Sequence, residues 1–277
     1  MRLLCRANSR PTTFMEGVTG LVPGRIAAFV TLVILWGVML INIRRALGGN
    51  LPVLREIPAL KAIEEAIGRA TETGRPVLFT SGLGDVTDAN GPQTIAGLEI
   101  LGSVAETTAS LGTNLICTVC KPNLQPITEA IVKQAYSNAG KPDAYRPDMV
   151  RFCSPDQMAY AAATAGIIER EKVAASIMVG AYWQEAMMLA EAGAAVKAIQ
   201  IGGTARMIQL PFFVIACDYT LIGEEIYAGG AYLSKHPMRL GSLAGQDIGK
   251  VIAVAVAVVG ALLTSFGSKY LTTLLGK

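Results

Sequence analysis

Residues 174–203 read AASIMVGAYWQEAMMLAEAGAAVKAIQIGG, and this stretch decides the fold. Residues 175–179 form a short, almost wholly apolar run that Gly180 closes. A helical segment follows over 182–192, Gly193 stops it, and a second apolar run spans 196–201. Strands that are apolar on both faces, each with glycine close behind, belong to a parallel sheet covered by helices on both sides.

The same alternation recurs outward from residue 77 to residue 219. Further strands are expected at 77–80, 114–119, 149–152 and 212–216, with helices at 92–110, 124–139, 155–169 and 221–233. Pro92 and Pro155 stand where a first helical turn tolerates a missing N–H. Six strands mostly separated by helices predict an α/β fold, a doubly wound, mostly parallel three-layer sheet that is Rossmann-like. The connection 202–210 is short for a crossover helix, so an antiparallel turn there stays open.

Beyond the core the composition changes the question. A hydrophobic content of 52%, a charged content of 16% and a mean hydropathy of +0.44 exceed those of an ordinary soluble domain. The surplus has to face lipid or partners. Residues 26–43, IAAFVTLVILWGVMLINI, carry no charge, and a helix of that length rises about 27 Å, close to the hydrocarbon thickness. A signal peptide is disfavoured by the late start and by Arg44-Arg45 where a cleavage site would stand. A buried core helix is the other alternative to the membrane-spanning helix read here. Residues 251–266, VIAVAVAVVGALLTSF, lie between Lys250 and Lys269 and are too long for one strand. A second span is expected there, with a core strand plus helix as the alternative. Ala253, Ala255, Ala257, Gly260 and Ala261 would let it pack closely on another helix, including one from a neighbouring subunit.

The expected plan is an arm over 1–25 carrying Arg2, Arg6, Arg10 and Arg25, then a span over 26–45. A linker with Gly48, Gly49 and Pro52, and an amphipathic helix, occupy 46–75. In that helix Ile57, Leu60, Ile63, Ile67 and Ala70 share one face before Gly74 ends it. The α/β domain covers 76–246, a second transmembrane helix 247–268 and a tail 269–277.

Two spans leave both termini on one side of the membrane and the domain on the other. Arg44-Arg45 and Lys250 favour a cytoplasmic domain, whereas the four N-terminal arginines argue the opposite. Cys5, Cys117, Cys120, Cys153 and Cys217 are odd in number in a chain large enough to need no staples. They read as free thiols in a reducing compartment, which tips the expectation to the cytoplasmic side of a cell membrane. A net charge of +3 without a basic stripe argues against nucleic acid. The expected partners are the lipid bilayer, further copies of the chain in a homo-oligomer, and a small-molecule ligand. The sequence leaves the cofactor unknown.

In a doubly wound sheet ligands bind at the carboxyl ends of the strands. That edge is expected to hold Ser81, Asp85, Cys120, Lys121, Cys153, Ser154, Gly180, Gly202, Gly203, Thr204, Cys217 and Asp218. Turn chemistry and helix capping alone favour such residues. Gly82-Leu83-Gly84 resembles a phosphate-binding turn, but Thr87 stands where its third glycine belongs and the helix starts only near Pro92. Gly202-Gly203-Thr204 is a second candidate amide nest, without the lysine of a P-loop. Cys117-x-x-Cys120 lies along a strand, where a separation of three sends side chains to opposite faces. Cys120, Cys153 and Cys217 share the expected edge and would suit a three-thiolate site. His236 is the single histidine, in a Lys-His-Pro loop, so a Ser-His-Asp triad would have to use it. Glu185 is well placed near a helix start to meet a ligand. Asp218 and Glu224 are candidates to pair with Arg206 or Arg239 across a subunit boundary. The ligand-contact candidates are therefore Ser81, Gly82, Gly84, Asp85, Cys120, Ser154, Gly180, Glu185, Gly202, Gly203, Thr204 and Asp218, with no catalytic set among them.

The run GAYWQEAMMLAEAGAAVKAIQIGGTARMIQLPFFVIACDYTLIGEEIYAGGAYLS resembles a family of prokaryotic, membrane-anchored α/β proteins without an assigned activity, over about 57–250. The resemblance implies a membrane-linked Rossmann-like domain and carries no catalytic residues. Three functional classes follow from the residues. They are a self-assembling anchored domain with a structural, scaffolding or ligand-sensing role, a membrane-bound enzyme or nucleotide-binding protein using the carboxyl edge, and a thiol-based redox or metal protein.

Overall fold

Strands buried on both faces build the centre of the sheet in this computed structural model, in which residues 26–50, 57–234 and 237–265 are described. The arm with Arg2, Arg6 and Arg10, Cys5, Pro52, His236 and the tail 269–277 lie outside the described residues. In chain order the elements are α1 (Ile26–Leu47), α2 (Pro58–Thr73), β1 (Val77–Gly82), α3 (Gly91–Leu111) and β2 (Leu115–Val119). Then come α4 (Leu124–Asn138), β3 (Val150–Phe152), α5 (Gln157–Glu171), β4 (Ala175–Ala181) and α6 (Glu185–Ala195). The chain continues with β5 (Ile199–Thr204), α7 (Leu210–Ala216), β6 (Tyr219–Ile222), α8 (Glu225–Ser234) and α9 (Pro237–Ser265).

One six-stranded sheet runs in the order β3-β2-β1-β4-β5-β6, with every neighbouring pair parallel. Val77 and Phe79 of β1 join the core under α2, α3 and α4, while Leu78 between them joins the core under α5 and α6. Two faces of one strand thus feed two apolar layers, as a sheet sandwiched by helices requires. Leu60, Ile63, Ile67 and Ala70 form the buried stripe of α2, which begins with Pro58 and ends at Gly74 in the left-handed conformation. Asp156 caps α5, its carboxylate accepting the Met158 and Ala159 N–H groups at 3.0 and 2.9 Å.

Four expectations are corrected. Residues 212–216 are not a strand: Pro211 opens the helix α7, and the strand slot beside β5 is filled by Tyr219–Ile222. Short apolar runs do not distinguish strand from helix by pattern alone, and here the proline decides. The connection after β5 consequently holds a crossover helix rather than an antiparallel turn. Gly193 does not stop α6, which runs on to Ala195; a Cβ there would meet the Gln200 side chain at 2.6 Å. Finally, helix α9 begins at Pro237, well before residue 251, and no core strand forms over its apolar run.

Contacts divide the chain into two units, Pro52–Leu240 and the pair Met1–Leu51 with Gly241–Lys277. Two helices are long and apolar enough to span a membrane, Phe29–Leu47 and Pro237–Leu262, and the second unit holds the first of them and, from Gly241 on, the other. Within that unit they meet through glycine. A Cβ on Gly241 would lie 2.7 Å from the Ile43 Cα, and one on Gly245 2.8 Å from the Met39 Cα. Gly260, by contrast, has nothing within 4 Å. The small face that meets α1 is therefore Gly241, Gly245 and Gly249, successive turns of one stripe, rather than Gly260.

Candidate functional site

Strand order reverses between β1 and β4, so a ligand crevice would open above their carboxyl ends. Here the two ends touch instead. Gly82 (φ 75°) and Gly180 (φ 155°) adopt backbone shapes that only glycine takes easily. A Cβ on Gly180 would overlap the Ser81 carbonyl, and one on Gly82 the Ala181 carbonyl. The Leu83 N–H donates to the Ala181 carbonyl at 2.9 Å, stitching the loops after the two strands. Gly97 of α3 sits directly on the Val179 carbonyl, and Gly84 against the Thr94 hydroxyl. These glycines serve backbone approach within the protein.

The loop after β1 supplies its own anions. The Asp88 carboxylate accepts the Asp85 N–H at 3.2 Å and the Asn90 N–H at 2.7 Å. The Asp85 carboxylate accepts the Thr87 N–H at 3.4 Å and the Asn123 side-chain amide at 3.2 Å. Burial pushes the Asp88 carboxyl up, but the Asp85 and Asn90 donors and the Lys121 charge together outweigh it and hold the group below the ordinary value. Several of the amides that would cradle a phosphate are thus already engaged by side-chain carboxylates.

Under the loop lies a sealed floor. Leu83, Cys120 and Tyr160 are buried together, with Cys153 and Trp183 packed on them. The Tyr160 hydroxyl bonds the Thr80 hydroxyl, and the Tyr182 hydroxyl donates to the Thr80 carbonyl at 2.7 Å. Burial pushes the Cys120 thiol up to about 11, with Lys121 opposing, and also raises Cys153. Neither is an activated nucleophile.

Glu185 is the exposed edge's most distinctive charge, although its side chain is fully buried. Its carboxylate accepts the Trp183 N–H at 3.0 Å and the Gln157 side-chain amide at 2.7 Å. Burial raises this carboxyl above the ordinary value, with both donors and the Arg206 charge offsetting part of the effect. The Arg206 guanidinium lies 4.1 Å from the Trp183 ring centroid and donates to the Asn90 side-chain oxygen at 3.5 Å. Gln93 accepts the Ala205 N–H at 3.2 Å and the Thr204 hydroxyl at 3.4 Å. Ser154 turns inward on its own segment, accepting the Asp156 N–H at 3.2 Å. The Ser81 hydroxyl is buried without a hydrogen-bond partner.

The sheet edge therefore gathers Ser81, Gly82, Gly84, Asp85, Cys120, Ser154, Gly180, Glu185 and Thr204. Other candidates fall elsewhere. Gly202 and Gly203 lie within β5, where a Cβ would strike Phe213 and Leu221 respectively. Asp218 precedes β6 at the amino edge of the sheet, accepting the Gln200 N–H at 2.8 Å. Cys217 lies at that same end beside Gly202, so the three-thiolate grouping with Cys120 and Cys153 is not formed. Among the described residues no group of three potential ligands stands together for a metal ion. Arg239 lies 3.5 Å from Glu99 within the chain. Gln157, Trp183, Asn90, Gln93 and Asp88 were not singled out by sequence, and Arg206 only as a partner for Asp218 or Glu224. Only Asp88 carried a local signal, the Asp-x-Asn spacing of a side-chain turn.

Comparison of the chain with curated proteins and with solved structures finds no match in either set. A family model does match, over residues 20–275, and it takes in the sheet, its carboxyl edge and both long apolar helices. The chain belongs to the family described as a domain of unknown function, DUF6754.

Proposed function

We propose that the protein is a membrane-anchored α/β protein that assembles into a homo-oligomer and has a structural, scaffolding or ligand-sensing role. The observation that carries it is the self-occupied switch point. Gly82 and Gly180 bring the two strand ends into contact, and Asp85 and Asp88 hold several amides that a nucleotide phosphate would need. Anchoring is supported by the apolar stretches Phe29–Leu47 and Pro237–Leu262, whose outward side chains include Leu32, Trp36, Val251 and Val254. A cytoplasmic domain in a prokaryotic cell membrane is part of the same proposal, supported by Arg44-Arg45 and by the free thiols of Cys117, Cys120, Cys153 and Cys217. Membrane fractionation followed by light scattering of the detergent-solubilised particle tests it. The protein is expected in the pellet and at a multiple of the chain mass. A clean monomer counts against assembly, and recovery in the supernatant counts against anchoring.

A second reading, a membrane-bound enzyme or small-molecule receptor, is favoured by Glu185 and the Trp183–Arg206 pair beside it. A thermal-shift screen of nucleotides and small acids, run on wild type, Asp85→Ala and Glu185→Gln, tests that reading. A stabilisation that Glu185→Gln removes supports it, and no response to any compound leaves it without support.

A further inference from the structure

Helix α7 breaks the rule that a surface helix turns its polar residues outward. Its sequence is LPFFVIA, with Leu210 and Phe213 buried and Phe212, Val214 and Ile215 facing out. Met207 and Ile208 precede it, and Ile222 of β6 follows on the strand face of Thr220, whose hydroxyl donates to the Phe213 carbonyl of α7. Ile215 is 83% exposed, Ile208 76% and Met207 75%. Together these residues present on the order of 700 Å², more than the roughly 300–600 Å² of the largest apolar patch on a typical monomer. The same area is about what each partner contributes to a standard protein interface.

Beside the patch runs an open strand. β6 pairs with β5 on one side and, among the described residues, with no strand on the other. Its residues Tyr219–Ile222 include no charge and no proline, the usual devices against strand addition. The opposite edge strand, β3, is three residues long and carries Arg151 in an ion pair with Glu171 at 3.0 Å. One edge is blunted and the other is not, which disfavours head-to-tail addition of β6 to β3. Hydrocarbon cannot satisfy the amide groups of an open strand, so a bilayer is a poor occupant of this face. A second β6 is a good one, and like-to-like contact closes with two-fold symmetry. The Ile222 N–H already donates to the Glu225 carboxylate at 3.0 Å, so pairing would centre on Thr220.

We propose that a second copy of this chain docks on the α7–β6 face, edge to edge across a two-fold axis. The proposal rests on the assembly put forward above and names its surface. Full-length protein in mild detergent is measured by light scattering. The wild type and Met158→Glu, which alters an exposed position on α5, are expected as a dimer or an even multiple. Ile215→Glu is expected at half that protein mass. Thr220→Cys is expected to form a covalent dimer on mild oxidation, with the wild type as blank. A wild-type monomer overturns both this surface and the assembly. A wild-type oligomer that Ile215→Glu leaves intact, without a cross-link at position 220, overturns this surface alone. If Ile215→Glu fails to fold, its melting curve shows that and the cross-link decides. A monomer whose label at Ile215→Cys is quenched by spin-labelled lipid assigns the patch to the bilayer and overturns the proposal.

Discussion

Glu185 is buried, accepts hydrogen bonds from Gln157 and Trp183 and feels the Arg206 charge, so its titration is coupled to folding. An unfolded glutamate titrates near about 4.3. Burial raises the folded value above that, so between the two the native state holds the extra proton. Stability therefore falls as pH rises through this window and stays lower above it. Glu185→Gln is expected to flatten that fall, read as the difference between variant and wild type in urea midpoint from about pH 4 to about pH 7. Gly180→Ala should cost about 2–3 kcal/mol, because its φ is unfavourable and the new Cβ would overlap the Ser81 carbonyl. A lowered thermal midpoint checks it. Burial raises the Cys117 thiol far above its ordinary value, Cys217 to about 12 and Cys120 to about 11. Iodoacetamide should therefore label these three slowly at neutral pH and rapidly once urea is added. Sequence position alone pointed to Glu185, at a helix start behind a strand. It gave no hint of Arg206 on Trp183, because that contact joins two loops and has no local spacing.

At the scale of elements, the apolar stripe of α2 and the prolines that open α2 and α3 were readable, since each depends only on neighbours in the chain. Helix α7 was not, because five to seven apolar residues fit either period and its tertiary place depends on Phe213 packing edge-on against Tyr182 at 5.2 Å. The misreading of α7 also misplaced Asp218 from the amino edge to the carboxyl edge. Polar residues 242, 246 and 247 disguised the first turns of α9 as a loop, which hid the glycines that meet α1. Gly245→Leu should force those helices apart and cost about 1–3 kcal/mol, seen as a lower melting temperature in detergent. Gly260→Leu, with open space around it, should change that temperature little.

For the whole molecule, two helices of this length and hydropathy predict that the chain resists high-salt and alkaline washing of membranes and is released by detergent. Immunoblotting of washed pellets checks this. The parallel sheet itself was legible, since continuous apolar runs alternating with helices leave few other architectures. Its central seam has a consequence in time. Val77 pairs with Ala175, so β1 leaves the ribosome roughly a hundred residues before the neighbour that completes its pairing, a wait of about 5–20 s at ordinary synthesis rates. Throughout that interval the growing chain carries a half-built sheet with its middle strand bare. A nascent polypeptide of this kind invites chaperone capture, and maturation is set by the arrival of β4.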